Sequence, residues 1–297
     1  MIFKKQKLLL ALLEEWGGEL SNTDMQKYLF LVSRCQDKKN TSYHFIPYKF
    51  GCFSFNSYSD KRKLIEKKIL KDSENWKLSE DQNGFYFMLP REDRASIKKI
   101  KKEFGHLSGK KLIRHIYLKY PYYAINSEIL GEVLSKSEIT WIKARKPKNE
   151  IRAIYTIGYE EKSIEEYINQ LIMEDVKILV DVRKNPVSRK YGFSKKTLQK
   201  VIEEVGIEYR HIPELGIPGE KRMNLYNIED YNRLFDLYEK EVLSRCRNHL
   251  EIIYQLVLGN DRIALTCFEK SSEYCHRTRV AGAIVKHFSR DLSIINL

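Results

Sequence analysis

Apolar and polar positions change their rhythm near the middle of this 297-residue chain. After residue 150, short apolar runs alternate with longer stretches whose apolar residues recur every three or four positions. The runs are Ile154-Tyr-Thr-Ile157, Ile178-Leu-Val180, Ile207-Glu-Tyr209 and Ile263-Ala-Leu265. The pattern predicts strands over 152–157, 176–181, 207–211 and 261–266, and a last strand over 292–296. Helices are expected over 163–173, 194–205, 229–246, 249–258 and 275–287. Val205-Gly206 fits a helix C-terminus. Such alternation implies an α/β fold, a doubly wound parallel sheet with right-handed crossovers. All strands of that sheet end along one edge, and the crevice beside it is where such folds bind ligands.

The first half has a different pattern. Lys4 to Trp16 has helical spacing and stops at Gly17-Gly18. Ser21 or Asn22 can cap a second helix running to about Cys35, and Ser57 or Ser59 a third. Leu64, Ile65 and Ile69 would face inward on the third helix, with Lys61, Arg62, Lys63, Lys67 and Lys68 on its other faces. Trp76-Lys-Leu78, a turn at Asn83-Gly84 and Phe85-Tyr-Phe-Met-Leu89 predict a hairpin. Three helices and a hairpin are the order of a winged helix, whose third helix enters the major groove. Two more helices are expected over 97–134, with a basic run at Lys98, Lys99, Lys101 and Lys102. The polar segment Lys143 to Asn149, with Pro147, reads as a linker. A mainly helical, winged-helix-like domain at 1–146 would thus precede an α/β domain at 150–297.

Charge sharpens this division. The net charge is +13. Residues 1–150 hold 30 Lys+Arg against 18 Asp+Glu, and residues 151–297 hold 23 against 22. The excess in the first half points to a polyanionic partner, nucleic acid and specifically duplex DNA, with the five basic residues of the third helix as contacts. Leu8 to Leu13 after a basic start faintly mimics a leader, but Glu14-Glu15 replaces the small-residue cleavage site, so an amphipathic helix is expected. No run of about 18 apolar residues occurs, so no membrane span is expected. Five scattered cysteines suit free thiols in a reducing cytoplasm.

Candidate chemistry gathers at the strand ends. Alternation puts Asp181 and Arg183 on one side with Val182 opposite. Asp181 can act as a base, bind a metal or simply hold Arg183. Arg183, Arg189, Arg277 and Arg279 can converge on an anion, and Cys275-His276-Arg277 opens a helix whose first amides favour one. Gly158, Tyr159, His211 and Cys275 complete the expected substrate contacts. Cys267 and Glu269 follow a strand, where Cys267 reads either as a thiolate nucleophile or as a small buried thiol. Glu214 and Glu269 can form a carboxylate pair for acid–base cleavage of a glycosidic bond. Cys267, Cys275, His276 and His211 are soft donors. The usual two-residue spacing of zinc cysteines is missing, and adjacent Cys275-His276 seldom face one ion, so neither metal nor cofactor is expected.

Several of these motifs recur in order in one family. Thr156-Ile-Gly-Tyr159, Leu179-Val-Asp-Val-Arg183, Pro186 with Ser188-Arg189, Phe193, Tyr209 with His211, Pro213-Glu-Leu-Gly216, Cys267-Phe-Glu269 and Cys275-His-Arg277 resemble the domain-of-unknown-function family 488. The resemblance spans 152–290 and implies a compact α/β domain with a polar cleft. It implies no reaction. The Asp-Val-Arg strand and the Cys267 loop also resemble rhodanese sulfurtransferases faintly, although no Arg follows Cys267 within seven residues. In the first half, Met25-Gln-Lys-Tyr-Leu-Phe30 with Phe45 to Gly51 and Phe53-Ser54-Phe55 resembles modules of mobile-element proteins and, more weakly, SocA-like (Panacea) antitoxin modules. Cys52 stands where those have Pro. The expectation is a cytoplasmic, nucleic-acid-associated enzyme in a phage-defence or DNA-modification setting. It would hydrolyse or transfer a group of a phosphate-bearing substrate, with Asp181, Glu269, Cys267, His276 and Glu214 as candidate catalytic residues. The alternatives are a transcriptional regulator sensing a small anion and rhodanese-like thiol chemistry at Cys267.

Overall fold

In the computed structural model, which describes every residue except 1, 38–40, 81, 224 and 261, the chain divides into units at Met1–Lys146 and Pro147–Leu297. The first unit is mainly helical. Its elements are α1 (Lys4–Glu15), β1 (Glu19–Leu20), α2 (Asn22–Cys35), β2 (Ile46–Tyr48), β3 (Gly51–Phe53), α3 (Phe55–Glu66) and β4 (Trp76–Lys77). They continue with α4 (Arg91–Phe104), α5 (Gly109–Lys119), α6 (Leu130–Val133) and α7 (Lys136–Lys143). The Leu8–Leu13 run is buried throughout, so it is the core of α1. Among the described residues no helix is long and apolar enough to cross a membrane.

The aromatic motif of the first half has a structural explanation. Gln26 accepts a hydrogen bond from the Ser54 amide and donates to Ser57 Oγ. The buried Lys27 ammonium donates to the Phe50 and Cys52 carbonyls. Two neighbouring side chains of α2 thus pin the β2–β3 hairpin, at the cost of burying a cation.

The expected hairpin at 76–89 does not form. Trp76–Lys77 pairs with Glu19–Leu20, and Tyr86–Met88 is a 3-10 turn. The reason lies far away in sequence. The Glu14 carboxylate accepts the Gly84 and Tyr86 amides at 2.6 and 2.8 Å, donors that a return strand would have spent on its neighbour. The cap of α3 is Ser54, one turn earlier than expected. Lys61 is not on a basic surface: it is 7% exposed, donates to the Ser73 and Glu74 carbonyls and lies over Trp76. Arg62, Lys63, Lys67 and Lys68 are exposed.

The second unit follows the predicted alternation: β5 (Ala153–Gly158), α8 (Ile164–Met173), β6 (Ile178–Asp181), α9 (Lys195–Glu204), β7 (Glu208–His211), α10 (Ile228–Tyr238), α11 (Arg247–Asn260), β8 (Arg262–Cys267), α12 (His276–Phe288) and β9 (Ser293–Asn296). A π turn, Glu239–Leu243, prolongs α10. The predicted start of the fourth strand, residue 261, lies outside the described residues. All five strands are parallel, in the order β7-β6-β8-β5-β9. The three inner strands are buried along their whole length, as a parallel sheet covered on both faces requires. Val180, Val182 and Leu265 pack with Phe235, Leu250 and Ile284 of α10, α11 and α12. On the other face the Tyr167 hydroxyl of α8 donates to Thr266 Oγ1.

Candidate active site

Strand alternation divides the expected site in two. Asp181 is in register with Thr266, so it and Arg183 belong to the α8 face, whereas Cys267 follows Leu265 onto the α12 face. The residues expected in one constellation therefore form two clusters, one on each side of the sheet edge.

The cluster on the α8 face is saturated. Asp181 Oδ1 accepts the Arg183 amide at 3.0 Å and Nε at 2.9 Å, and Oδ2 accepts Arg183 Nη2 and the Tyr209 hydroxyl, both at 2.6 Å. Arg183 Nη1 donates to the Tyr159 hydroxyl and the Phe193 carbonyl, both at 2.9 Å. Tyr159 in turn stacks on Phe193, with centroids 4.4 Å apart. Burial alone would lower the Arg183 pKa, but the hydrogen bonds and charge of Asp181 carry it above the ordinary value. His211 holds the same strand end, with Nε2 donating to the Arg183 carbonyl at 2.9 Å while Nδ1 accepts from Lys195 at 3.0 Å. Asp181 is thus fully buried, with both carboxylate oxygens bonded to Arg183 and one also to Tyr209.

The cluster on the α12 face is rich in acceptors. Cys267 Sγ lies 3.2 Å from Glu269 Oε2 and 3.6 Å from His276 Nδ1. Cys275 Sγ donates to the same Glu269 oxygen at 2.8 Å. His276 is fully buried, and its Nε2 donates to the Val182 carbonyl at 2.9 Å, which leaves Nδ1 as the acceptor facing the cysteines. Arg222 serves all three groups: Nη1 donates to Glu269 Oε1, and Nη2 lies 2.8 Å from His276 Nδ1 and 3.9 Å from Cys267 Sγ. Burial raises the Cys267 pKa, whereas the hydrogen bond with the Cys275 thiol and the charge of Arg222 lower it, and Cys267 lies well below the ordinary thiol value. Burial and the neighbouring Cys267 push Cys275 well above it. Burial, then the Cys267 charge, raise Glu269 against the pull of Arg222.

Two expected ligand-binding residues turn out to be scaffolding. Arg277 is 1% exposed and donates to Thr156 Oγ1 and to the Glu269 and Lys270 carbonyls. It holds the loop that carries Glu269. Gly158 lets that loop close, since a Cβ there would lie 1.8 Å from the Glu269 carbonyl oxygen. Glu214 does not pair with Glu269. Its carboxylate is 3.8 Å from His249, because the Pro213–Leu215 turn seats Gly216 against the Lys184 amide, 2.1 Å from where a Cβ would stand. Arg279 is drawn to Glu239 at 3.3 Å, away from the strand ends.

A cleft of about 390 Å³ opens between the two clusters. Its walls include Tyr159, Arg183, Lys184, Arg189 and Arg222, and Cys267 also lines it. Lys184 and Arg189 are exposed, and Arg222 keeps 27% of its side chain exposed. A larger hollow, about 760 Å³, lies between the π turn, α11 and α12. It holds Lys240, Arg247 and Lys286 with Glu239 and Glu273, a set of mixed charge. Arg222 and Lys184 were not foreseen from sequence. Arg222 sits in an irregular basic stretch whose only signal is its nearness to the Pro213–Gly216 motif.

Residues 163–284 match the family model described as Domain of unknown function DUF488. The match covers most of the region in which that family's motifs were recognised and leaves β5 outside. No curated protein and no solved structure matches the chain.

Proposed function

We propose that the C-terminal unit is an enzyme acting on a phosphate-bearing substrate, a nucleotide or nucleic acid, and that the basic N-terminal unit binds nucleic acid. One observation supports this above the rest: Lys184, Arg189 and Arg222 line the cleft at the strand ends, and that cleft reaches the Cys267–Glu269–His276 cluster. Planar guanidinium groups suit phosphate oxygens. Glu269 retains 16% side-chain exposure beside Arg222, which suits a group that exchanges a proton with substrate or water.

A second reading, a regulator that senses an anion without converting it, draws support from the 1% exposure of Cys267 and the closed Asp181–Arg183 network. Incubation of the full chain with nucleotides and duplex DNA, followed by chromatography of the products, separates the two. The enzyme reading expects product in the wild type and a loss of about 10²–10⁴-fold in Glu269→Gln at an unchanged melting temperature. Tight binding without product supports the sensor. Absence of both binding and product removes both readings.

A further inference from the structure

The α12-face cluster carries more donor atoms than an acid–base site needs. Cys267 Sγ, Cys275 Sγ and His276 Nδ1 lie within 4.8 Å of one another, and all three residues are buried. In a tetrahedral zinc site with sulfur at about 2.3 Å and imidazole nitrogen at about 2.0–2.1 Å, a sulfur and a nitrogen ligand stand about 3.6 Å apart. The Cys267 to His276 Nδ1 separation is 3.6 Å. Zinc-binding histidines as a rule donate their other ring N–H to a carbonyl or carboxylate, and His276 Nε2 does so to Val182. Glu269 Oε2 accepts from the two thiols at 3.2 and 2.8 Å, closer than two ligands on a tetrahedral cation stand, so it neighbours the three donors rather than completing their set.

We propose that Cys267, Cys275 and His276 bind a soft divalent cation of the zinc class, with the fourth corner left open beside Glu269. In catalytic zinc sites the fourth corner is the one that exchanges for water or substrate. Two sulfurs and one imidazole exclude magnesium and calcium, which take oxygen ligands. Arg222 competes for two of these donors, Cys267 Sγ and His276 Nδ1, so cation uptake requires its guanidinium to leave His276 Nδ1. The side chain is partly exposed on the cleft wall, where it would then face an anion. The site deepens the reading of the cleft as an enzyme site and rests on it for its purpose, though not for its existence.

The test is zinc content of the full chain after expression with zinc and dialysis, together with the cobalt(II) absorption spectrum. The expected results are about one zinc per chain and a thiolate-to-cobalt charge-transfer band. Cys275→Ser should weaken zinc affinity by on the order of 100-fold or more, whereas Cys246→Ser, outside the cluster, should retain it. No retained zinc together with no charge-transfer band overturns the proposal, as does undiminished affinity in Cys275→Ser. The wild-type measurements decide even if the variant does not fold. Zinc retained without turnover of any phosphate-bearing ligand leaves the metal site and removes the enzyme reading. Turnover by a chain that takes up no zinc does the reverse.

Discussion

The two clusters at the strand ends hold similar kinds of residue, and their bonding differs. On the α8 face one carboxylate meets one guanidinium, and both are also satisfied by tyrosine hydroxyls and a carbonyl. On the α12 face two thiols, a carboxylate and an imidazole nitrogen crowd together, with Arg222 as the cation among them. A polar group whose partners are all fixed within the fold contributes stability. A set of acceptors with too little positive charge is poised for a ligand or a proton. On the reading proposed above, the difference puts Asp181 and Arg183 in the scaffold and Cys267, Glu269, Cys275 and His276 in the chemistry.

The largest effect expected from this contrast is on stability. Asp181→Asn should destabilise the protein by about 3–5 kcal/mol, because it leaves the buried Arg183 cation without its counter-charge. At roughly 2–4 °C per kcal/mol for a domain of this size, the melting temperature should fall by about 6–20 °C. Thermal melting beside product assays decides the matter. A variant that melts like the wild type and is inactive would return Asp181 to the catalytic group and dissolve the contrast.

A smaller effect is expected at Arg222. Arg222→Gln removes a partly exposed cation, so the melting temperature should move by only a few degrees. Affinity for a phosphate-bearing ligand should fall about tenfold, the lower end for loss of a charge-assisted hydrogen bond. Titration of the full chain with such a ligand measures it. Unchanged affinity would confine Arg222 to its internal partners and make the two clusters alike.

Much of the second unit was legible in the sequence because short fully apolar runs and helical spacing are local signals, and parallel sheets amplify them by burying both faces. The strand ends were therefore placed correctly, and alternation already put Asp181 with Arg183. What the sequence did not show was which face Cys267 shares with which helix. The zinc-type geometry was set aside on spacing, a rule suited to ligands on one tight turn. Here Cys267 ends β8, Cys275 precedes α12, and the Val182 carbonyl from β6's strand end fixes the imidazole. The displaced hairpin has the same origin: Leu78 pairs back with Leu70 rather than forward, Glu14 takes amides 70 and 72 residues away, and no local pattern encodes that.

The smallest expected effect tests the same distinction, saturated against available, within the first unit. Lys61 and Lys63 lie two residues apart on α3, yet Lys61 is buried on two carbonyls and Lys63 is exposed. Lys68, just past the helix end, is also exposed. If this surface touches nucleic acid, each phosphate contact contributes about −0.9 to the slope of log affinity against log salt. Lys63→Glu with Lys68→Glu should flatten the slope for duplex DNA by about 1.8 if both make such contacts. Lys61→Met should leave the slope unchanged and lower the melting temperature instead, since it strands two carbonyl acceptors near Trp76. Salt titrations of full-length variants read both quantities. An unchanged slope in the double variant would remove this face of α3 from the nucleic-acid surface. It would shift the weight of the first unit's charge to α4, where Lys98, Lys99 and Lys102 are exposed and Lys101 is paired with Glu15 at 3.2 Å.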